Sequence, residues 1–580
     1  LVMTETTGRS GSAKGFVEAS ITAFGRTIKI GGPIPKLKPG EKLLRKTQSL
    51  CPVCYRMLPA IIFERDGKVW IRRVCPEHGE IEEIYWGDAE LYRKALKWEV
   101  KSKPVKVTYT EAKAPCPFTC GLCPYHMTYT ALANIVLTNR CDLSCWYCFF
   151  YAEKAGYVYE PSLEELREMI RNLRKQYPRG GLAVQLTGGE PTLRDDLVEI
   201  VKMIKEEGIR HIQLNTHGLR FAYDPNGVEL AKKLREAGLN TVYLSFDGVS
   251  PSVNFKNHWE IPFIFDTFRK AGVTSVVLVP TLIKGWNTDE LGAIIVFAAK
   301  NMDIVRGVNF QPVSLTGQMS RSEREEARVT IPDVIKYVEE QTDGQIGKDA
   351  WYPVPITYVI SEFVEAFTGE PKLHMPIHPA CGMATYVHVK RESDGSIEFT
   401  PITKFIDVEG FFEYLKEKTE ELNKGKNRYV VGLKILYNLR KFIDSEKQPK
   451  DINLWKLIYN IFIKHNYKAL GEFHYKFLYI GMMHFMDLYN YDIQRVMRCG
   501  IHYLVPEGKV IPFCAFNVLP DLYRDRIQKE HGIPIKEWIK IKGIHTIGEA
   551  IKYKRDIKKL ESSELYRKTY ADFREWLNKR

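Results

Sequence analysis

The sequence lacks any long apolar run. No stretch approaches the roughly 18 consecutive apolar residues that a membrane-spanning helix needs, because Lys, Asp or Gly interrupts every candidate. Residues 1–47 contain no apolar signal-peptide core and no cleavage site, and we expect them to form a flexible tail and linker. These absences argue against an integral helical membrane protein and predict a cytoplasmic one.

The chain also lacks a dense block of basic residues, an RNA-binding signature and basic stripes interleaved with aromatic residues. Lys and Arg nevertheless outnumber Asp and Glu by 84 to 71, which gives a formal net charge of +13. Such an excess favours an anionic partner, or it reflects solvated basic faces alone. We therefore predict no nucleic-acid partner and keep a phosphorylated substrate and an acidic membrane surface as candidates. Abundant Lys, Glu and Arg with few Gln also hints at a thermophilic source.

Twelve cysteines are present, and they are grouped at intervals typical of metal ligands. Because no export signal accompanies them, metal binding explains them better than disulfides do. The first group is C-P-V-C at 51–54 and C-P-E-H-G at 75–79, separated by alternating apolar residues around a D-G turn at 66–67. This pattern predicts a rubredoxin-like or zinc-ribbon module over residues 48–95, binding one mononuclear zinc or iron through Cys51, Cys54, Cys75 and His78.

Residues 133–315 alternate short β-branched runs with amphipathic helical stretches, which is the pattern of repeated βαβ units. We predict six parallel strands, with S-L-E-E at 162–165 as the capping box of the first intervening helix. The predicted fold class is α/β, a partial (β/α)6 barrel. Ligands of such a sheet bind at the carboxyl ends of its strands.

Residues 316–580 change to a mostly helical period and are predicted to form a mainly helical C-terminal domain. Its aromatic-rich stretches between about 408 and 490 are explained by core packing or by an apolar groove for a long substrate. One helical face is predicted to carry Leu454, Trp455, Leu457, Ile458, Ile461 and Phe462.

The decisive motif is C-D-L-S-C-W-Y-C, which follows the first predicted barrel strand. Three cysteines at x3 and x2 spacing wrap one face of a 4Fe-4S cluster and leave the fourth iron without a protein ligand. These ligands are Cys141, Cys145 and Cys148. The motif is the radical S-adenosylmethionine (radical SAM) signature. This resemblance implies that the cofactor's amino and carboxylate groups bind the open iron, and that its reductive cleavage yields a 5'-deoxyadenosyl radical.

Further motifs lie where cofactor contacts are expected. The second predicted strand ends in T-G-G-E-P, where Gly188 and Gly189 let the backbone approach a ligand and Glu190 can take the cofactor's ammonium group. The later strand ends supply further candidates for its carboxylate, ribose and adenine, unless these positions are ordinary turns: Asn215, Ser245, Asp247, Val279 and Val308.

Two further cysteine groups predict auxiliary iron–sulfur clusters. The first, in residues 96–132, repeats the x3 and x2 spacing. The second comes from three separate segments beyond the barrel, for which structural burial is the alternative. The two ligand sets are Cys116, Cys120 and Cys123, and Cys381, Cys499 and Cys514.

The order of these motifs over residues 48–520, with Y-W-G-D at 85–88 and P-E-G-K-V-I-P-F-C-A-F-N at 506–517, resembles the archaeal tetraether lipid synthases. Relatives are also labelled 7,8-dihydro-6-hydroxymethylpterin dimethyltransferases, and the lineage is similar to archaeal lipid ring and bridge synthases. The resemblance implies carbon–carbon bond formation between unactivated sp3 carbons of isoprenoid lipids. It further implies an archaeal phospholipid substrate, peripheral contact with the inner membrane face, and ferredoxin or flavodoxin as electron donor.

Three alternatives stay open at this point: a lipid ring or bridge synthase, a radical SAM methyltransferase acting on a pterin, and a non-catalytic iron–sulfur electron carrier. The combination of the open-iron cysteines with T-G-G-E-P argues against the carrier. No cobalamin-binding segment is visible to assist a methyl transfer. No catalytic residue is assigned from the sequence.

Overall fold

The computed structural model describes residues 16–148, 152–315, 320–456 and 468–578. The predicted apolar face at 454–462 lies mostly outside these ranges, since 457–462 fall in a gap. Within the described parts of the chain, no helix combines the length and the apolarity that crossing a bilayer requires.

The N-terminal domain is a six-stranded sheet. Its central hairpin turns at Asp66 and Gly67, both with positive φ (53° and 70°), as the D-G pair predicts. The tail expected over residues 1–47 is wrong for its described part, because three strands of the sheet begin within residues 19–47 and Ile28 of the second is buried. The six strands are Ala19–Ala23, Arg26–Ile30, Lys42–Leu50, Met57–Arg65, Lys68–Cys75 and Gly79–Trp86.

A buried ion-pair network connects residues 19–47 to the rest of the sheet. The Arg72 guanidinium is fully buried and donates to Glu41 Oε2 at 2.7 Å and to Glu82 Oε2 at 2.5 Å. Glu41 is itself only 1% exposed, and its hydrogen bonds from Arg72 lower its pKa from 4.5 to about 2. Burying these charges is tolerable because each has a partner, so losing one partner is costly.

Glu41→Gln is expected to lower the free energy of unfolding by about 3 kcal/mol at pH 7, because it leaves Arg72 with one carboxylate fewer. A lowered folded-state pKa contributes stability above the unfolded pKa, and this contribution is lost as pH falls from 4.5 to about 2. The difference from the wild type should therefore shrink over that interval in denaturant titrations. Glu80→Gln is the matched control, since Glu80 reaches the same Arg72 at 3.8 Å but is 43% exposed and should cost under about 1 kcal/mol.

The central sheet contains the six predicted barrel strands in sequence order, each parallel to the next. Val184, Leu186, Ile212 and Leu214 are completely buried against the surrounding helices. The alternating positions of the same strands therefore face the inside of the barrel. The strands are Leu132–Thr138, Ala183–Gly188, His211–Thr216, Thr241–Ser245, Val276–Val279 and Val305–Pro312.

Helices cover the outside of this sheet. The first begins at Leu163 with the predicted capping box, in which the side chains of Ser162 and Glu165 each accept from the other's backbone N–H. The barrel helices are Leu163–Arg174, Leu197–Glu206, Leu219–Tyr223, Gly227–Ala237, Ile261–Ala271 and Leu291–Lys300.

The C-terminal region adds strands that its helical period does not predict. Phe477–Met483 runs parallel to the sixth barrel strand, and Ile501–Leu504 runs parallel to the first, so both sheet edges are extended by late segments. Gly382–Arg391 pairs antiparallel with Phe477–Met483. Its larger helices are Ile331–Gln341, Thr357–Thr368, Val408–Asn423, Arg428–Asn438, Lys468–Lys476 and Ile535–Lys542.

Aromatic residues of this region pack mainly against one another. Phe473 stacks on Phe477 with ring centroids 4.2 Å apart, and Phe363, Phe411 and Phe412 join one buried cluster with the helix Arg428–Asn438. Core packing therefore accounts for these side chains. The predicted fold class, a partial barrel with an N-terminal metal module and helices in the C-terminal region, is confirmed.

Candidate active site and metal centres

The four ligands predicted for the N-terminal metal lie together. Their ligand atoms are all within 4.8 Å of one another, and His78 Nδ1 lies 3.4 Å from both Cys51 Sγ and Cys75 Sγ. Cys51 and Cys75 are buried, while Cys54 and His78 are exposed. Three sulfurs and one imidazole nitrogen at such distances suit a tetrahedral ion.

The predicted radical SAM cysteines lie on the loop after the first barrel strand. The N–H of Cys148 donates to the carbonyl of Cys145 at 3.1 Å, which closes a turn between the two ligands. A segment near the chain's C-terminus holds this loop from outside: Lys552 Nζ donates to the carbonyls of Cys141 (3.1 Å) and Leu143 (3.0 Å). These contacts fix the backbone of the loop that carries the three predicted cluster ligands.

Gly188 and Gly189 are required by close packing against that loop. A Cβ on Gly188 would lie 2.1 Å from the carbonyl oxygen of Thr138, and one on Gly189 would lie 2.1 Å from that of Arg140. Gly188 also has φ of +144°, which side chains rarely permit. The two glycines thus bring the second strand end against the cysteine loop.

Glu190 lies deep beside this loop. Its carboxylate accepts from the Thr192 side chain at 2.7 Å, the Thr216 hydroxyl at 2.6 Å and the His217 backbone N–H at 3.1 Å. His217 Nε2 lies 3.2 Å from Glu190 and 2.7 Å from Asp142, next to Cys141. Burial alone would lower the pKa of His217, but the charges of Glu190 and Asp142 outweigh it and raise that pKa well above the usual value.

Five predicted cofactor residues remain: four on the barrel strands, and Asp247, which follows the fourth strand. Asn215 is on the inner face of the barrel, 3.3 Å from the Thr187 hydroxyl, and Ser245 stands in register with Val279. Val308 is completely buried in the main core, so its side chain packs inside the protein. The cofactor contacts stay predictions for all five.

Asp247 has a partner that the sequence did not reveal. Its carboxylate lies 2.9 Å from Lys256 Nζ and accepts from the Tyr147 hydroxyl at 2.5 Å. Lys256 is 8% exposed, and its charge acts on the thiol of Cys145. A single lysine in a loop cannot be recognised as functional from the sequence. In the structure, its charge lies beside the predicted cluster ligands.

Lys256→Met is expected to make the radical SAM cluster harder to reduce, because it removes a positive charge beside the sulfur ligands. Asp247→Asn should shift the reduction potential the opposite way, since it removes the neighbouring negative charge. Redox titrations followed by electron paramagnetic resonance would measure both shifts. Lys270→Met, which breaks a surface pair with Asp266, should leave the potential unchanged. Shifts of the same sign in the first two variants would contradict this assignment.

Aromatic side chains surround the same site and were also missed. Trp146 is 66% exposed, and its ring lies 5.7 Å from that of Trp286. Tyr147 contacts Trp286 at 5.8 Å and Phe255 at 6.4 Å. These rings offer a surface on which a planar ligand can stack.

The first auxiliary group is largely buried. The Cys116 thiol interacts directly with Cys120, and this contact together with burial raises the pKa of Cys116 well above its usual value. The pKa of Cys123 is raised by burial and by Cys120. Deeply buried thiols with such pKa values are poor nucleophiles unless a metal takes up the thiolate charge.

The three late cysteines converge from their separate segments. Burial and the charge of Cys499 raise the pKa of Cys514, and burial raises that of Cys499 to about 11. Cys381 Sγ accepts from Arg495 Nε at 3.3 Å. Cys120 and Cys514 share one apolar cluster, so both auxiliary groups border the same part of the core.

Unpartnered polar groups mark the late cysteine site. Arg495 is 1% exposed, its Nη1 has no partner, and no carboxylate in the described ranges pairs with it. Both ring nitrogens of His484, whose backbone N–H donates to the Cys381 carbonyl at 2.9 Å, also lack partners among the described residues. A buried guanidinium needs a compensating anion, and thiolates bound to an iron–sulfur cluster would supply one. The residues therefore fit a third cluster.

Comparisons with known proteins bear on these sites. Residues 135–298 match the family model of the Radical SAM superfamily, and residues 43–87 match that of the HMPTM N-terminal zinc ribbon domain. The chain is 48% identical over 512 residues to the 7,8-dihydro-6-hydroxymethylpterin dimethyltransferase of Methanocaldococcus jannaschii, covering 87% of this chain and 98% of that protein. The chain belongs to this dimethyltransferase family.

Other similarities cover less of the chain. The GTP 3',8-cyclase of Limosilactobacillus fermentum is 34% identical over 191 residues, which are 31% of this chain and 54% of the cyclase. Among solved structures, HydG, a maturase of the FeFe-hydrogenase, is 16% identical over 37% of this chain and 51% of that chain, with a TM-score of 0.30.

Membership of the dimethyltransferase family establishes the coarser predictions. The protein is a radical SAM enzyme, which implies S-adenosylmethionine and a 4Fe-4S cluster as cofactors, and its N-terminal module binds metal. The zinc-ribbon match favours zinc over iron in that module.

Proposed function

We propose that this enzyme is a radical SAM methyltransferase acting on a pterin. The observation that carries the proposal is the 48% identity to the pterin dimethyltransferase over 98% of its length. A match over 87% of this chain includes the whole barrel. In this proposal S-adenosylmethionine and the cluster supply the radical, and a ferredoxin or flavodoxin supplies the electron.

Polar side chains on the inner face of the barrel favour a polar, planar substrate. Gln213 donates to Gln185 at 2.6 Å across neighbouring strands, and Asn215 follows on the same face. Amide groups of this kind can hydrogen-bond the donor and acceptor edge of a pterin ring. Trp146 and Trp286 would stack on its face near the cluster loop.

The second candidate is carbon–carbon bond formation between isoprenoid chains of archaeal lipids, including ring or bridge formation. Two observations favour it: the motif order over residues 48–520, and the helix Arg428–Asn438, which exposes apolar side chains beside basic ones. This candidate would place the enzyme at the inner face of the membrane. It also gives the auxiliary cysteines a use, since a cluster sulfur can hold one substrate alkyl radical until the second is generated.

One anaerobic experiment separates the candidates. Reconstituted, reduced enzyme with S-adenosylmethionine receives a 7,8-dihydro-6-hydroxymethylpterin and an archaeal diether phospholipid in the same reaction, and mass spectrometry follows both. A methylated pterin with unchanged lipid supports the proposal. A lipid that loses hydrogens and gains a carbon–carbon bond, with unchanged pterin, overturns it and establishes the second candidate.

The same reaction tests the electron-carrier alternative. An enzyme should form 5'-deoxyadenosine and methionine from S-adenosylmethionine under reducing conditions, whereas a carrier should form neither. A control without reductant should give no cleavage in either case.

A further inference from the structure

The helix Arg428–Asn438 exposes an unusual amount of apolar surface. Tyr429 and Leu433 are each 67% exposed, Tyr437 is 81% exposed and Val430 is 51% exposed. Single exposed apolar residues are common on soluble proteins, but a group of four on one helix calls for a partner. We call these four residues the apolar face.

The apolar face is exposed although the helix packs well against the rest of the protein. The opposite side of the helix is well buried, with Val431 at 0% exposure and Ile435 at 7%, in the cluster around Phe363. The spacing i, i+4 and i+8 of Tyr429, Leu433 and Tyr437 keeps them on one outward side. The helix therefore buries one apolar side in the protein and presents another to its surroundings.

The segment that carries the apolar face is basic. Residues 424–441 contain six basic residues and no acidic residue: Lys424, Lys426, Arg428, Lys434, Arg440 and Lys441. Lys424 pairs with Glu420 at 4.0 Å, and Lys426 and Lys434 share Glu421 at 3.1 and 3.2 Å, while Arg428, Arg440 and Lys441 pair with no carboxylate in the described ranges. The basic residues are spaced between three and four positions apart on average, so they form no dense block in the sequence.

Apolar side chains flanked by basic groups, of which Arg428 lies over the Tyr429 ring and Arg440 over the Trp455 ring, match one kind of surface. An interfacial helix buries Leu and aromatic side chains at the level of the lipid headgroups while Lys and Arg contact anionic phosphates. A nucleic acid would contact the basic residues, but it would offer no apolar surface to Leu433 and Val430. A bilayer uses both groups at once.

We propose that the helix Arg428–Asn438 docks this enzyme on an anionic phospholipid surface, with the apolar face inserted at headgroup level. The inference goes beyond pterin methylation and does not depend on it. If the enzyme acts on lipids, this docking would bring it to its substrate. The docking itself needs no turnover and can be measured without S-adenosylmethionine.

The test is flotation of the reconstituted full chain with vesicles. Vesicles of phosphatidylcholine with roughly 30% phosphatidylglycerol should carry the protein upward, and pure phosphatidylcholine vesicles should not. Binding should weaken as salt rises from about 0.1 to 1 M, since the Debye length falls from about 10 to 3 Å. The variant carrying Leu433→Ser and Tyr437→Ser should bind anionic vesicles at least about tenfold more weakly, because it loses two inserted apolar side chains.

A matched control uses exposed apolar residues elsewhere. Ile541 and Ile544 are 65% and 69% exposed near Lys540 and Lys542. Replacing both by Ser should leave vesicle binding unchanged. Unaltered S-adenosylmethionine cleavage and thermal stability in both double variants would show that each one is folded.

Three outcomes would overturn the proposal. They are failure of the wild type to float with anionic vesicles, equal binding by the Leu433/Tyr437 variant, and loss of binding in the Ile541/Ile544 variant alone. Tight binding of duplex DNA that survives the Leu433 and Tyr437 substitutions would instead assign the basic residues to nucleic acid. None of these results bears on whether the pterin is methylated, so the two proposals fail separately.

Discussion

Cys145→Ala is expected to abolish reductive cleavage of S-adenosylmethionine. The residue supplies one of three ligands from a single short loop, and a cluster that lacks one protein ligand cannot hold the open iron in place. The variant should lose about four iron atoms per chain and keep the metal of the N-terminal module. Metal analysis and quantification of 5'-deoxyadenosine check both parts of the result.

The matched control is Cys120→Ala in the first auxiliary group, which has the same cysteine spacing. This variant should lose a similar amount of iron but continue to cleave S-adenosylmethionine, while product formation falls. Equal loss of cleavage in both variants would show that the two groups do not have separate roles. Full product formation by Cys120→Ala would remove the auxiliary group from the reaction.

Arg495→Leu is expected to destabilise the reconstituted protein much more than the metal-free protein. Without metal, Arg495 is a buried cation that pairs with no carboxylate in the described ranges and donates to one carbonyl, that of His484 at 2.7 Å, so replacing it should cost about 1 kcal/mol or less. With a cluster on Cys381, Cys499 and Cys514, the same change removes the counter-charge and should cost about 3–5 kcal/mol. Anaerobic denaturant titrations of both forms, with iron analysis, measure the difference.

Arg73→Leu is the control for this difference. Arg73 is also completely buried and pairs with no carboxylate in the described ranges, but it donates to three carbonyls, those of Leu50, Tyr489 and Leu488, where Arg495 donates to one. Its loss leaves three carbonyl groups unpaired and should destabilise both forms alike, by about 3 kcal/mol or more. If Arg495→Leu also destabilised both forms equally, the guanidinium would be a packing residue and not a counter-ion.

Sequence patterns predicted the features that local chemistry determines. The six barrel strands follow from β-branched runs, the capping box from Ser162 and Glu165, and the ribbon ligands from cysteine spacing. Each of these depends on residues within a few positions of one another, or on a repeating unit. Such information is present in a single sequence.

Features that depend on distant segments were missed. Residues 19–47 look like a linker because their buried Ile28 packs with residues as distant in the chain as Tyr491 and Leu522. Phe477–Met483 looks helical by composition, although it pairs with the sixth barrel strand. Lys256 and Arg495 are ordinary basic residues until the fold places them beside cysteines from other segments. Only the three-dimensional structure assigns them a role.

The contact of Lys552 with the cysteine loop has a consequence for biosynthesis. The loop around Cys141 emerges from the ribosome more than 400 residues before the lysine that holds it, and the strand Ile501–Leu504 follows the first barrel strand, with which it pairs, by more than 350 residues. Long-range contacts of this kind form slowly and only after both segments are available. We therefore expect the loop that carries Cys141 to reach its final geometry only after translation.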